Sequence, residues 1–148
     1  MRILGIDFGD SRTGIAVSDP LGWTAQGLET FKGAIGETAL HIAGLARQYE
    51  AKTVVIGYPL NMDGSKGPRA ERTDSFIEEL CKSLCDGSVA LVKWDERLTS
   101  VEAAKMLKAS GGRPTSKTTR ESGRLDALAA TILLQSYLDS GKQGMQSI

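Results

Sequence analysis

Apolar and polar positions alternate through two short runs at the start of the chain, separated by Gly9-Asp10-Ser11. In the first run Leu4, Ile6 and Phe8 alternate with Ile3, Gly5 and Asp7. A period of two predicts a strand with Asp7 near its end. Gly9-Asp10-Ser11 has the composition of a tight turn. Residues 13–18 predict a second strand, antiparallel to the first because the connection is so short. A third strand is predicted over residues 24–31, completing a meander.

The period then lengthens. Ile35, Ala39, Ile42, Ala43, Ala46 and Tyr49 fall at helical spacing. Residues 53–57 form an unbroken apolar run, which suits a buried parallel strand. Residues 58–67 are rich in turn formers, and Pro68 suits the first position of a helix. That helix has an apolar stripe of Phe76, Ile77, Leu80, Cys81 and Leu84. A further buried strand over 89–94 runs out at Asp95-Glu96. Thr99 and Glu102 have capping-box spacing and predict a helix start. Gly111-Gly112 and Pro114 end that helix. Residues 110–122 read as a basic loop, and a last helix is expected from about Arg120 to Asp139. The pattern predicts one α/β domain over residues 1–140 and a flexible tail over 141–148. Its mixed sheet has five strands, three antiparallel and two parallel, with helices on both faces.

Composition removes several kinds of chemistry. The chain of 148 residues has one histidine, His41, and two cysteines, Cys81 and Cys85. These cannot build a four-ligand zinc site, and the cysteines are expected to be buried structural residues. A serine triad would have to rest on His41, which reads as an ordinary helix-surface residue. No apolar run is long enough to cross a membrane, and the start of the chain does not read as a signal peptide. A cytoplasmic protein is expected. The formal net charge is zero, yet residues 105–124 carry +5 and the remainder −5. Distribution matters more than the total for a nucleic-acid partner.

Carboxylates remain. Asp7 ends the first strand and Glu96 follows the last, and parallel sheets gather ligands at such carboxyl ends. Asp126 heads an apolar helical stripe of Ala129, Ala130, Leu133 and Tyr137. A carboxylate on a buried stripe needs a partner. Two carboxylates 4 Å apart repel by about 4 kcal/mol at an effective dielectric near 20. A divalent cation relieves that repulsion, and oxygen ligands favour Mg²⁺ or Mn²⁺. Two such ions would suit phosphodiester hydrolysis. Taken singly, each acid has a plainer role: Asp7 in a turn, Glu96 in a surface pair with Arg97, Asp126 at a helix start. By position, Arg12, Arg69, Arg72, Lys117, Arg120 and Arg124 are candidates to contact a nucleic-acid backbone, and Arg97 to hold the acidic cluster.

Four ordered motifs then carry a resemblance. They are the segment from Gly5-Ile6-Asp7-Phe8-Gly9 to Ser18-Asp19, Gly57-Tyr58-Pro59-Leu60-Asn61-Met62-Asp63-Gly64-Ser65, Asp95-Glu96-Arg97-Leu98-Thr99-Ser100, and Asp126-Ala127-Leu128-Ala129-Ala130-Thr131 with its continuation to Gln135. Together they resemble the YqgF family over nearly the whole chain. The resemblance implies a ribonuclease H-like fold, with the family's acidic residues on Asp7, Glu96 and Asp126. It implies a nuclease that trims the 5′ end of precursor 16S ribosomal RNA in ribosome biogenesis. The alternative is a Holliday junction resolvase acting in DNA recombination and repair. Structured nucleic acid is the expected partner, with the chain a monomer or homodimer. Two further classes share the pattern in part: a non-catalytic nucleic-acid binder and an actin-like ATP-binding protein. The second normally needs two such domains, and this chain has one Asp-x-Gly hairpin.

Overall fold

The computed structural model describes residues 2–84, 87–99, 118–140 and 146–147; for 118–126 and 146–147 it describes the backbone. The strands are β1 (Arg2–Phe8), β2 (Thr13–Ser18), β3 (Ala25–Phe31), β4 (Ala51–Tyr58), β5 (Ala90–Asp95) and the two-residue β6 (Gln146–Ser147). The helices are α1 (Ile35–Gln48), α2 (Pro68–Ser83) and α3 (Thr118–Asp139), and Glu96–Leu98 forms a single 3-10 turn.

The sheet order is β3-β2-β1-β4-β5-β6. β1 pairs antiparallel with β2 and parallel with β4. β4 pairs parallel with β5, and β3 lies antiparallel to β2. The five expected strands therefore form a three-stranded antiparallel meander, to which β4 and β5 add in parallel. The sixth, β6, adds antiparallel to β5 and has no signal in the alternation of the sequence.

The two sheet faces carry separate cores. Leu4, Ile6, Phe8, Val54, Ile56 and Tyr58 pack against α1 and α2. Phe8 stacks on Phe76 of α2 at 4.6 Å between ring centroids. Ile3, Ala16, Val55, Val92 and Trp94 pack against Ala129, Ala130, Leu133, Leu134 and Tyr137 of α3. β1 and β4 are covered on both faces, which is why their sequences are apolar almost throughout. The starts of α1 and α2 match their local chemistry. Glu37 accepts from the Ala34 amide at 3.1 Å, and Pro68 opens α2.

Close approach of α3 depends on Gly5. A Cβ there would lie 2.7 Å from the Leu134 Cβ and 3.2 Å from the Ala130 carbonyl oxygen. The helix backbone thus rests almost on β1, and the small Ala129 and Ala130 permit it.

Two sequence expectations are corrected. α3 begins at Thr118, so residues 118–122 are helical rather than loop. Cys81 is exposed, not buried. It sits one residue past Leu80 on α2, and a step of about 100° carries it off the core-facing arc. His41, half-buried on α1, stacks on Phe31 at 4.1 Å and pairs with Glu29. The helix expected from Thr99, the basic loop up to residue 117, Cys85 and most of the tail lie outside the described residues. Among the described residues, no helix is long and apolar enough to cross a membrane.

Candidate metal and nucleic-acid site

Parallel pairing of β1, β4 and β5 brings their carboxyl ends to one edge of the sheet. Asp7 lies there with 5% of its surface exposed, and Glu96 with 2%. Asp7 belongs to the β1 face that carries Ile3 and Gly5, the face covered by α3. The last β1–β4 pair is Ile6 with Ile56, so Asp7 and Gly57 are lateral neighbours one step further on. Adjacent strands lie about 4.8 Å apart.

Gly57 links the two acids. A Cβ at Gly57 would stand 2.7 Å from Glu96 Oε1 and 3.2 Å from its Cγ. The Glu96 carboxylate therefore occupies the space above Gly57, beside Asp7. This space exists because position 57 has no side chain. The surface pairing of Glu96 with Arg97 is excluded, since Arg97 binds Asp95 instead. Its Nη2 lies 2.7 Å from Asp95 Oδ2 and its Nε 3.1 Å from Oδ1. The Arg97 guanidinium holds the Asp95 carboxyl below its usual range. The same Asp95 carboxylate accepts from the Arg97 amide and caps the 3-10 turn that carries Glu96. Arg97 thus positions the segment around Glu96 without touching the acid itself.

Asp126 lies on α3, one turn before Ala130 and two turns before Leu133. Ala130 meets Gly5, and a Cβ at Gly57 would lie 3.3 Å from Leu133 Cδ2. By helical repeat, Asp126 shares their side of the helix. Its side chain, with those of Arg120 and Arg124, lies outside the described residues, as does Lys117. Among the described residues, no three His, Cys, Asp or Glu side chains form a metal cluster. The two acids that are described bring oxygen donors, which fit a hard divalent cation.

Around the acids the edge is built from turns. The Gly9 amide donates to the Arg12 carbonyl at 2.9 Å and closes the β1–β2 turn. Arg72 of α2 grips that turn, with Nε 3.1 Å from Asp10 Oδ1. This pair is exposed to solvent and ties α2 to the β1–β2 turn. Arg69, one turn earlier on α2, is exposed at the same edge, and Arg12 is half-buried in the turn.

Beneath the loop after β4 lies a cluster that the sequence did not reveal. The Tyr58 hydroxyl donates to Asp74 Oδ2 at 2.8 Å, and Lys66 and Lys93 approach the same carboxylate at 3.6 and 3.4 Å. Lys93 also sits over the Tyr58 ring at 4.7 Å. Burial pushes the Asp74 carboxyl up, but the Tyr58 hydroxyl and the two lysines outweigh it and hold the carboxyl below its usual range. A depressed carboxyl stabilises the fold above its unfolded pKa and loses that contribution as pH falls through the folded value. The melting-temperature gap between native protein and Asp74→Asn should be constant above about pH 5 and shrink below about pH 4. Thermal melts across that range check this; a gap that widens in acid would contradict it.

Comparison with known proteins agrees with this architecture. The RuvX family, described as Holliday junction resolvase, matches residues 1–140. A protein of Ruminiclostridium cellulolyticum named "Putative pre-16S rRNA nuclease" is 45% identical over 141 residues, covering 94% of each chain. One of the same name from Halothermothrix orenii is 48% identical over 141 residues, covering 94% of this chain and 95% of the other. The structure of T. thermophilus RuvC in complex with a Holliday junction substrate superposes with a TM-score of 0.60 at 16% identity. It covers 100% of this chain and 99% of RuvC, and shows that the ribonuclease H-like fold is shared. With a matching family model across 140 of 148 residues and relatives this similar, the chain belongs to the RuvX (YqgF) family of nucleases.

Proposed function

We propose that Asp7, Glu96 and Asp126 form one divalent-cation site, and that the chain hydrolyses phosphodiester bonds in precursor 16S rRNA. The observation that carries this is the Glu96 carboxylate seated over Gly57 beside Asp7, both buried at the carboxyl edge of the sheet. Two buried acids so placed favour a cation as their common partner. Asp126 would supply the third ligand from α3, one helical turn before the Ala130 that meets Gly5. Mg²⁺ or Mn²⁺ bound there, as one ion or two, would lower the pKa of an attacking water and stabilise the leaving oxygen.

The chain's own residues hold the substrate. Arg12 and Arg69 meet the phosphate backbone at the sheet edge, while Arg72 fixes the turn that carries Arg12. Lys117, Arg120 and Arg124 extend the contact along the start of α3. Arg97 keeps Glu96 aligned through Asp95. Such work on precursor rRNA belongs in the cytoplasm.

Cleavage of a four-way DNA junction is the second reading, favoured by the family description. A resolvase must cut two strands symmetrically and therefore works as a dimer, whereas trimming needs one copy. Purified protein with Mg²⁺ or Mn²⁺ should cut a precursor 16S rRNA fragment and spare the junction. Symmetric junction cleavage with the RNA left intact would reverse the assignment.

A further inference from the structure

The loop from Leu60 to Gly67 is more ordered than a connection between β4 and α2 needs. The Gly64 amide donates to the Asn61 carbonyl at 2.8 Å, and the Asn61 amide to the Ser65 carbonyl at 2.9 Å. Asp63 accepts from the Ser65 amide at 2.9 Å and from its hydroxyl at 2.6 Å. Gly64 takes a φ of +88° that a side chain would resist. Leu60 and Lys66 close the base of the loop as a bridge. From the site side, Arg97 Nη1 donates to the Met62 carbonyl at 3.5 Å while its remaining nitrogens hold Asp95. The loop is therefore latched to the residue after Glu96.

At the tip of this latched loop stands Met62, with 93% of its surface exposed. Single exposed apolar residues are ordinary on protein surfaces. This one differs in its setting. Its own loop is fixed by local hydrogen bonds, and its carbonyl is tied to the segment that carries Glu96. Its loop follows the carboxyl end of β4, at the same sheet edge as Asp7 and Glu96. Apolar side chains such as methionine can enter between stacked bases.

We propose that Met62 is a substrate-contacting residue that packs against a nucleobase of the bound nucleic acid, next to the scissile phosphate, with Arg97 as the positioning residue that aims it. This rests on the nuclease reading. It adds a contact to a base where the basic residues contact phosphates, and so gives the site a means of preferring strands whose bases unstack easily. The Lys66 and Arg69 side chains, exposed on either side of Pro68, line the approach with charge suited to the phosphates flanking that base.

The test uses Asp7→Asn protein, which is expected to bind without cutting, and precursor 16S rRNA fragments carrying 2-aminopurine at successive positions. Fluorescence should rise at one or two adjacent positions, as a base leaves the stack. Met62→Ala added to this protein should abolish that rise and weaken binding about tenfold, with the salt slope unchanged. Met62→Phe should restore both. Arg97→Ala should reduce the rise, because the loop is released, while Met62 itself is intact. In protein with Asp7 restored, Met62→Ala should lower kcat/KM by a similar factor. Melting temperature should not move for Met62→Ala, since the side chain is almost fully exposed. Fluorescence and affinity equal in Met62→Ala and its parent would overturn the proposal. A fluorescence rise that depends on Met62, in a protein that cuts no RNA under any condition, would uphold the base contact and remove the nuclease reading.

Discussion

Changing Asp7 to asparagine is expected to reduce cleavage by at least about a hundredfold, since loss of even an outer-shell partner of a metal ligand costs 10–100-fold. The substitution keeps the shape of the side chain and removes its charge. The neighbouring Glu96 carboxylate then faces one negative charge fewer, so repulsion within the site falls. The fold should therefore be as stable as before, or more stable in the absence of cation. Cation affinity should drop, and nucleic-acid binding should persist, because the basic residues that hold phosphates are elsewhere. Three measurements on the same preparation check this: cleavage rate, Mn²⁺ or Mg²⁺ titration by calorimetry, and thermal melting with and without cation. Native melting temperature should rise on adding cation, and that rise should shrink in the Asp7→Asn protein. Unchanged cleavage would place the chemistry elsewhere.

The second large effect is expected at Gly57, a residue that carries no chemistry. An alanine methyl there would come within 2.7 Å of Glu96 Oε1, 3.2 Å of Glu96 Cγ and 3.3 Å of Leu133 Cδ2. Real Cβ atoms do not approach that closely, so something moves. Leu133 is fully buried against the sheet and β4 is hydrogen-bonded on both sides. The Glu96 carboxylate is the part most free to give way. Displacing a catalytic group by about 1 Å can cost 10²-fold, and crowding a packed site typically costs about 1–3 kcal/mol. Gly57→Ala should therefore lose most activity while remaining folded, with a lowered melting temperature. Gly36→Ala provides the control: nothing lies within 4 Å of a Cβ there. Gly36 is on the exposed side of α1, and the change should stabilise by about 0.4–1 kcal/mol. Full activity in Gly57→Ala would show that Glu96 is not held where the chemistry occurs.

These two residues mark how far the chain could be read without coordinates. The strand ending at Asp7, the helix opening at Pro68 and the stripe of Ala129, Ala130, Leu133 and Tyr137 are visible as periods of two and of 3.6. Such periods are imposed by which faces must leave water, and they survive in the order of residues alone. The parallel run of β4 and β5 and the antiparallel meander followed from the same logic and from the lengths of the connections. The candidate acids were legible because a carboxylate at the end of a buried strand, or heading a buried stripe, breaks its local pattern.

Partnership was not legible. The sequence set Arg97 beside Glu96 and suggested a surface pair or a hold on the acidic cluster. The structure gives Arg97 to Asp95 and to the loop at Met62. Tyr58 and Asp74 are sixteen residues apart and meet Lys66 and Lys93 only because β4, β5 and α2 pack together. Cys81 lies one position off the core arc, a distinction that a stripe of apolar letters cannot make. β6 exists through an edge of β5 left open to pairing, not through any alternation of its own two residues.

Period and composition alone carried the α/β class and the sheet's mixed pairing, and they narrowed the candidate chemistry to acids, because each depends on residues near one another along the chain or on residue types scarce in it. Only the tertiary structure decided that Glu96 sits over Gly57 beside Asp7, and that Arg97 latches the loop of Met62. Those facts depend on distances between segments about thirty-five to ninety residues apart, which are set by how the strands register and how closely α3 can approach the sheet.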